Sequence, residues 1–383
     1  MYRKDVVEIK CAIMRCGTSK GIFIHENYLP QEPKLREKAV LAIFGSPDKR
    51  QIDGLGGAEP LTSKVAVIGP PSREDADVDY TFGQVEIEKP TVHFTGLCGN
   101  ISSGVGTFAI EEGLVRAVAP VTKVRVHSVN TNQVYVSEVP VKDGLPEVFG
   151  DYSIDGVPGT GAKVTMNMAG TVASFRRGIF PTGNRKDRLD IPGFSAVTVS
   201  IVDIVNPVAF INAKDLGLQG HELSKDISPE TYVFIERIRA KVASMLGIDG
   251  WDEHDAKDPL PFLVFVSLAK DCINHLTGQV IHGGDADFLA RAIFLGGVHQ
   301  TFPGAVSCTT GVAAKLPGTV VNDISKNAIN GVARLGHPAG ILEVDAEVGV
   351  DENGDDAVLR VTYGRTVRRI MDGTVYVKKT CLE

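Results

Sequence analysis

The sequence has few cysteines, and none of them are spaced as metal or disulfide pairs. Its 383 residues contain no CxxC motif. Such a low density of thiols supports neither a disulfide framework nor a thiolate zinc site, so we expect no metal and a reducing, cytoplasmic location. The six cysteines are Cys11, Cys16, Cys98, Cys272, Cys308 and Cys381.

The sequence also lacks an apolar run long enough to cross a membrane. The longest run, 260–269, is interrupted by Ser267, whereas a spanning helix needs about 20 apolar residues. The first residues, MYRKDVVEIKCAIMRC, do not contain the apolar stretch of a signal peptide. We therefore expect no membrane partner, and we interpret 260–269 as a buried strand.

Positive charge is in deficit. Lys and Arg total 40, Asp and Glu total 47, and the formal net charge is −7. General binders of nucleic acid or of membrane surfaces need a cationic field, so we expect no nucleic-acid partner. A small anionic ligand needs only local positive charge and remains open. The length suggests two domains of ordinary globular composition.

Short β-branched segments outnumber helical patterns, which indicates a β-rich α+β chain. The polar, turn-rich segment 181–192 places a domain crossover near residue 190. Ser228 precedes Pro229 as an N-cap for one of the helices. The patterns predict helices at 34–44, 101–115, 229–246 and 285–295, and strands at 121–126, 134–139, 197–204, 358–363 and 374–377.

A first candidate site lies at 94–100, where a strand ends in a glycine turn and a helix begins at Cys98. The positive end of a helix dipole and the backbone N–H groups there favour anions. The same environment favours a thiolate or a ready proton donor, which makes Cys98 a candidate acid or base. The alternative is a buried structural cysteine, a common fate of free thiols.

A second candidate is Lys64, which follows the glycine-rich loop 53–63 and precedes the apolar segment 65–68. Burial disfavours an ammonium, so an amine delivered into an apolar strand can act as a base near neutral pH. The alternative is a surface lysine at the edge of a strand.

The loop 15–21, RCGTSKG, has only a superficial likeness to a nucleotide loop. A P-loop needs Gly-Lys followed by Ser or Thr, and here the order is Ser-Lys. No GxGxxG follows a first strand either, so we expect no nucleotide cofactor. Amides and hydroxyls, including those of Thr18 and Ser19, suit carboxylates instead. His299 and His337 lie in glycine-rich turns and are candidates either for substrate contact or for structural roles.

A short internal sequence similarity, called the echo below, links the two halves of the chain. The segments 98–105, CGNISSGV, and 308–312, CTTGV, each place a cysteine and two hydroxyls before a glycine. Both segments are predicted to open a helix. A match this short is compatible with chance, and its meaning depends on the fold.

Six segments together resemble the PrpF/methylitaconate isomerase family over essentially the whole chain. They are long, and they occur in order. They are RCGTSKG at 15–21, QIDGLGGAEPLTSK at 51–64, CGNISSGVGTFAIE at 98–111, PTGN at 181–184, PGTVVN at 317–322 and GHPAG at 336–340.

The resemblance implies an α+β fold similar to that of diaminopimelate epimerase. Such a fold has two similar domains, each a curled β-sheet around a central helix, with the site between them. We assign 1–190 to the first domain, with 368–383 as a candidate for completing it, and 191–367 to the second. The echo would then mark the starts of the two central helices.

The resemblance also implies a cofactor-independent isomerase that acts on a small unsaturated di- or tricarboxylate by a 1,3 allylic proton shift. The segments FGSPD, VDYTF and IDGVPGT resemble the methylitaconate branch, so 3-methylitaconate is the leading substrate. Isomerisation of 2-methylaconitate and tautomerisation of 4-oxalomesaconate are the alternatives. The oligomeric state, including a homo-oligomer, stays open.

Residue roles follow from the resemblance. Lys64 matches the catalytic lysine and is assigned as proton carrier. Cys98 is assigned as the second acid or base, or as the group that stabilises the dienolate; which of the two acts first is open. Cys308 matches the second cysteine position of the fold and has an open role. The expected substrate-binding residues are Asn100, Ser102, Ser103, Thr309 and Thr310, with Thr18, Ser19, His299 and His337 as weaker candidates.

Two different functions remain as alternatives. One is an amino-acid epimerase or racemase on the same fold, with Cys98 and Cys308 acting as a pair of thiols. The other is an accessory protein that binds a polycarboxylate without proton exchange.

Overall fold

The computed structural model describes residues 5–173, 178–248, 260–325 and 331–382. The helices are α1 (Pro33–Phe44), α2 (Gly99–Glu111), α3 (Pro229–Leu246), α4 (Gly304–Lys315) and α5 (Val320–Ile324). The strands are β1 (Val6–Cys16), β2 (Ser19–His25), β3 (Lys64–Gly69), β4 (Val78–Val85), β5 (Val92–His93), β6 (Val121–Ser128), β7 (Gln133–Lys142), β8 (Leu145–Pro146), β9 (Val164–Asn167), β10 (Asp187–Leu189), β11 (Val197–Ile204), β12 (Asn206–Asn212), β13 (Phe262–Leu268), β14 (Cys272–Ile273), β15 (Val280–Ile281), β16 (Phe288–Phe294), β17 (Gly297–Val298), β18 (Ala333–His337), β19 (Gly340–Val350), β20 (Asp356–Arg365) and β21 (Val367–Lys378).

The chain divides into two compact units. The chain passes from the first unit to the second mainly between residues 166 and 167, rather than near residue 190 as the sequence predicted. The turn-rich segment 181–192 belongs to the second unit, where β10 pairs with β11, because polar turn composition marks a surface loop as readily as a linker. The first unit comprises Met1–Ser153, Gly159–Met166 and Arg365–Glu383, and the second comprises Ile154–Pro158 and Asn167–Gly364.

The sheet of the first unit curls around α2. Its strands pair in the order β21, β1, β2, β3, β4, β6 and β7. The β2–β3 and β4–β6 pairs are parallel and the others antiparallel. Helix α2 contacts strands along this whole order, from β21 and β1 to β7. Residues 99–110 of α2 are therefore all buried.

Helix α1 covers the opposite face of the same sheet. It begins at the N-cap Glu32, whose carboxylate accepts from two backbone N–H groups, and it ends at Gly45 in the left-handed region. Its buried side chains pack against a cluster that includes Val65 and Val67 of β3. Successive side chains of a strand point to opposite faces. Lys64 therefore lies on the face that α2 covers.

The second unit repeats this topology. Its strands pair in the order β11, β12, β13, β16, β18 and β19, with the same alternation of antiparallel and parallel pairs as in β1, β2, β3, β4, β6 and β7. The buried helix α4 contacts β11 and β12 as well as β18 and β19, and α3 packs on an outer cluster. The expected fold class, two similar domains with a sheet curled around a helix, is confirmed.

The predicted helix at 285–295 is wrong, because this segment contains the strand β16. The strand lies between β13 and β18, and its first six residues are buried. A short, mostly apolar run such as FLARAIF fits a buried strand and a buried helix equally well. The predicted helices at 34–44 and 229–246 and the strand at 197–204 are confirmed.

The close approach of α2 to the sheet depends on glycine. A Cβ atom at Gly104 would lie 2.4 Å from the Sγ of Cys16 and 2.7 Å from the ring of Phe23. We expect Gly104→Ala to lower the unfolding free energy, because overpacking costs about 1–3 kcal/mol and outweighs the gain of about 1 kcal/mol in helix propensity. Denaturant unfolding measures this change.

Two matched variants test the explanation. Gly284→Ala places its Cβ in open space and should leave stability nearly unchanged. Adding Cys16→Ala to Gly104→Ala should recover part of the loss. A Gly104→Ala protein as stable as the wild type would contradict the close packing of α2.

Candidate active site

The amine of Lys64 is buried. Lys64 begins β3 and pairs with Gly21 of β2 on one side and with Gln84 of β4 on the other. Its side chain is 3% exposed. Burial lowers the pKa of Lys64, and the charge of Cys98 acts in the opposite direction. The alternative of an exposed lysine at a strand edge is therefore wrong.

Polar and aromatic groups surround this amine. Nζ of Lys64 donates to Oε1 of Gln84 at 2.5 Å and lies 5.5 Å from the centroid of the Phe82 ring. The loop before Lys64 is closed by the buried amide of Gln51. Its Oε1 accepts from the Ala58 N–H at 2.7 Å and from the Ser63 hydroxyl at 2.9 Å. The glycine-rich loop is thus an ordered support for Lys64.

Cys98 is the N-cap residue of α2, as the sequence predicted. Its backbone is extended, its carbonyl accepts from the Ser102 N–H at 2.8 Å, and its side chain is half-buried. The thiol therefore sits at the positive end of the helix dipole. Cys98 begins the helix that covers the Lys64 face of β3, and it acts electrostatically on Lys64, so the fold places the two predicted proton-transfer groups on the same side of the sheet.

Asn100 links two other predicted binding residues to a cation. Its Nδ2 donates to the hydroxyls of Thr18 at 3.0 Å and Ser19 at 3.4 Å. Its Oδ1 accepts from Nε of Arg365 at 2.9 Å. The guanidinium of Arg365 is 4% exposed, and sequence reasoning missed it. No local motif marks Arg365, because it reaches the first unit from the far end of the chain.

The hydroxyls of Ser102 and Ser103 are engaged within α2. Ser102 Oγ donates to the carbonyl of Cys98 at 2.8 Å, and Ser103 Oγ donates to that of Asn100 at 2.7 Å. Both side chains are fully buried. In this arrangement their hydroxyl protons stabilise the helix, and contact with a carboxylate stays a prediction.

The second cysteine does not open a helix, so that expectation is wrong. Helix α4 begins at Gly304 after the N-cap Pro303, which places Cys308 one turn inside. Its Sγ is buried and lies 3.6 Å from the carbonyl of Gly304. The topological counterpart of Cys98 is therefore Pro303. The sequence echo aligned the cysteines rather than the helix starts.

The other predicted residues of the second unit are also buried. Thr309 Oγ1 donates to the carbonyl of Ile204, and Thr310 Oγ1 donates to that of Val306 at 2.7 Å. The Nδ1 atoms of His299 and His337 accept from the N–H groups of Thr301 and Ala339. Each histidine thus closes a local turn, and its contact with substrate stays a prediction.

The described part of the chain contains neither a cluster of potential metal ligands nor a helix that could span a membrane. No group of three or more His, Cys, Asp or Glu side chains within 5–173, 178–248, 260–325 and 331–382 could hold a metal ion. In the same ranges no helix has the length and apolar character to cross a membrane.

Together, the two curled sheets with their buried helices define an epimerase-like fold, and its first unit contains both residues predicted to transfer protons. Comparison with known proteins agrees, because the family model described as PrpF protein matches residues 6–378. The chain belongs to this family.

Two named relatives are isomerases, so the expected enzyme class is confirmed. The chain is 44% identical to 3-methylitaconate isomerase of Eubacterium barkeri, with 99% of each chain covered. It is 36% identical to 2-methyl-aconitate isomerase of Shewanella oneidensis, with 97% of this chain and 98% of the relative covered.

Solved structures show the same fold. Methylitaconate-delta-isomerase superposes with a TM-score of 0.81 at 44% identity, covering 99% of this chain and 98% of that one. A hydroxyproline epimerase from Agrobacterium vitis gives a TM-score of 0.55 at 13% identity, covering 99% and 94%. The second likeness concerns the fold alone.

The burial of Lys64 predicts a pH-dependent stability. Because its pKa is lowered in the folded state, the folded chain binds fewer protons than the unfolded chain as pH approaches the ordinary lysine value of 10.5. The contribution of Lys64 to the unfolding free energy therefore rises with pH between its lowered folded-state pKa and 10.5. Lys64→Met removes this term, so we expect its stability relative to wild type to be highest at low pH and to decline towards pH 10.5.

Denaturant unfolding between pH 6 and 10.5 measures this difference, with each unit of lowered pKa contributing about 1.4 kcal/mol. Lys123→Met is the matched control, because Lys123 is 71% exposed and should show no such trend. A difference between Lys64→Met and wild type that does not change with pH would refute the desolvated amine.

Proposed function

We propose that this protein moves a double bond in a small unsaturated dicarboxylate by a 1,3 allylic proton shift, with 3-methylitaconate as the leading substrate. One observation carries the proposal: an amine desolvated by burial lies on the sheet face covered by α2, whose N-cap residue Cys98 acts on it electrostatically. The activities of the named relatives supply the substrate class.

The first step uses the neutral amine of Lys64 as a base. It takes a proton from the carbon next to the alkene, and the electron pair of the broken C–H bond enters the conjugated system as a dienolate. Negative charge then develops on the substrate carboxylate. The positive end of α2 and the cation of Arg365 support that charge, since preoriented dipoles and charges act strongly in a site that excludes water.

The second step returns a proton to the other end of the allylic system. The thiol of Cys98 gives its proton to that carbon, which moves the double bond and leaves an ammonium beside a thiolate. These opposite charges attract each other, and proton exchange between them restores the starting state. The reverse reaction uses the same groups in the opposite order, so the initial base depends on the direction of reaction.

Other substrates are weaker candidates. Isomerisation of 2-methylaconitate has the support of the Shewanella relative, and tautomerisation of 4-oxalomesaconate needs the same amine and thiol. An epimerase with two thiols has less support, because Pro303 stands where a second thiol at a helix start would lie. An accessory protein that only binds a polycarboxylate has less support, because binding without proton exchange does not require the desolvated amine of Lys64. The sparse cysteines support a reducing, cytoplasmic location.

Proton NMR in D2O tests the reaction with methylitaconate, 2-methylaconitate and oxalomesaconate, each alone. We expect deuterium at an allylic position together with a new alkene isomer. Lys64→Ala should lower the rate by at least about 100-fold, the usual contribution of a general base, and Cys98→Ala should lower it comparably.

Two variants control for general damage. Lys123→Met and Cys381→Ser change an exposed lysine and an exposed cysteine, and both should keep the wild-type rate. Exchange that survives Lys64→Ala but is lost on substitution of either Cys98 or Cys308 would favour the epimerase. Saturable binding without exchange would favour the accessory protein.

A further inference from the structure

The side chain of Gln84 has an orientation fixed by the backbone. Gln84 lies directly opposite Lys64 in the antiparallel β3–β4 pair and is 2% exposed. Its Nε2 donates to the carbonyl of Pro60 at 3.1 Å and to that of Ser63 at 3.0 Å. A flipped amide would set Oε1 against two carbonyl oxygens, so these bonds select one orientation.

That orientation directs Oε1 of Gln84 at the nitrogen of Lys64, 2.5 Å away. An amide oxygen accepts a hydrogen bond from an ammonium and from a neutral amine alike. A carboxylate in the same place would favour the ammonium and oppose its use as a base. A glutamine therefore orients the nitrogen without adding charge.

The charged neighbours agree with this assignment. Cys98, at the N-cap of α2, is the titratable group that acts on Lys64 from the helix side. Glu86, two residues after Gln84 and just beyond the end of β4, is engaged with His93 at 3.1 Å. The Phe82 ring lies on the same face of β4 as Gln84 and contributes no full charge.

We propose that Gln84 is a positioning residue for catalysis, whose backbone-anchored side-chain oxygen holds the Lys64 amine in one orientation while leaving it uncharged. This inference rests on the proposed function of Lys64 as proton carrier. It adds a requirement for a neutral acceptor opposite the lysine.

Gln84→Glu and Gln84→Met test the proposal through the pH profile of kcat/KM with methylitaconate. The acidic limb reports the protonation of Lys64 in the free enzyme. With Gln84→Glu the limb should move to higher pH by about 1–3 units, because the carboxylate stabilises the ammonium. With Gln84→Met it should move to lower pH, and kcat should fall about 10-fold or more with little change in KM, because the amine loses its orientation.

Gln51→Met is the matched control. Gln51 is another buried glutamine that supports the same loop through hydrogen bonds with Ala58, Ser63 and Ser46. Its substitution should lower stability but leave the acidic limb in place. An unmoved limb in both Gln84 variants, or an equal shift in Gln51→Met, would overturn the proposal.

A stability cycle separates this proposal from the proposed function, because it needs no turnover. It compares wild type, Gln84→Glu, Lys64→Met and the double variant by denaturant unfolding at pH 7. Gln84→Glu should lower the unfolding midpoint less when Lys64 is present, since the carboxylate then has a cation as partner. Equal losses in both backgrounds would refute the contact, whereas wild-type protein without exchange on any substrate would refute only the function.

Discussion

The site depends on one constraint: the amine of Lys64 is enclosed by a sheet that is covered on both faces. All six residues of β3 are buried, because α1 packs on one side of the sheet and α2 fills the other. Burying an ammonium in such surroundings carries a large desolvation free energy, whereas burying a neutral amine does not. The same packing that stabilises the first unit therefore favours the neutral amine that the proposed function requires, and Gln84 provides a polar contact that such an amine can keep.

The repeated topology separates what the fold requires from what the chemistry requires. Both units contain a buried helix inside a curled sheet and a second helix outside it. Yet β13, the counterpart of β3, begins with Phe262 rather than a lysine, and α4 has Pro303 where α2 has Cys98. The second unit has retained the scaffold without this amine–thiol pair.

Local signals in the sequence were sufficient for much of the fold. Ser228 and Gly247 bound α3, and alternating apolar residues marked β11. Local signals failed where packing decides: the run 288–294 is apolar apart from Arg291, and its neighbours β13 and β18 make it a strand. The domain crossover and the start of α4 were misplaced for a similar reason, since turn residues and a cysteine do not reveal which segments pack together.

The candidate site shows the same division. Lys64 and Cys98 stand beside glycine-rich segments that sequence reasoning can recognise. Gln84 and Arg365 have no local mark, because their roles arise only from strand register and from the return of the chain into the first unit. A resemblance could assign the expected reacting groups residue by residue, but the groups that contact them, Gln84 for Lys64 and Arg365 for Asn100, needed coordinates.

The placement of both reacting groups in one unit bears on the type of reaction. Inversion at a single carbon requires an acid and a base on opposite faces of that carbon. A 1,3 shift requires instead two groups that reach successive ends of one allylic system, and these can lie side by side. Lys64 on β3 and Cys98 at the start of α2 belong to one folded unit, which suits the proposed 1,3 shift. Under the proposed function, a fold that resembles an epimerase serves double-bond migration with an amine and a thiol carried by the same unit.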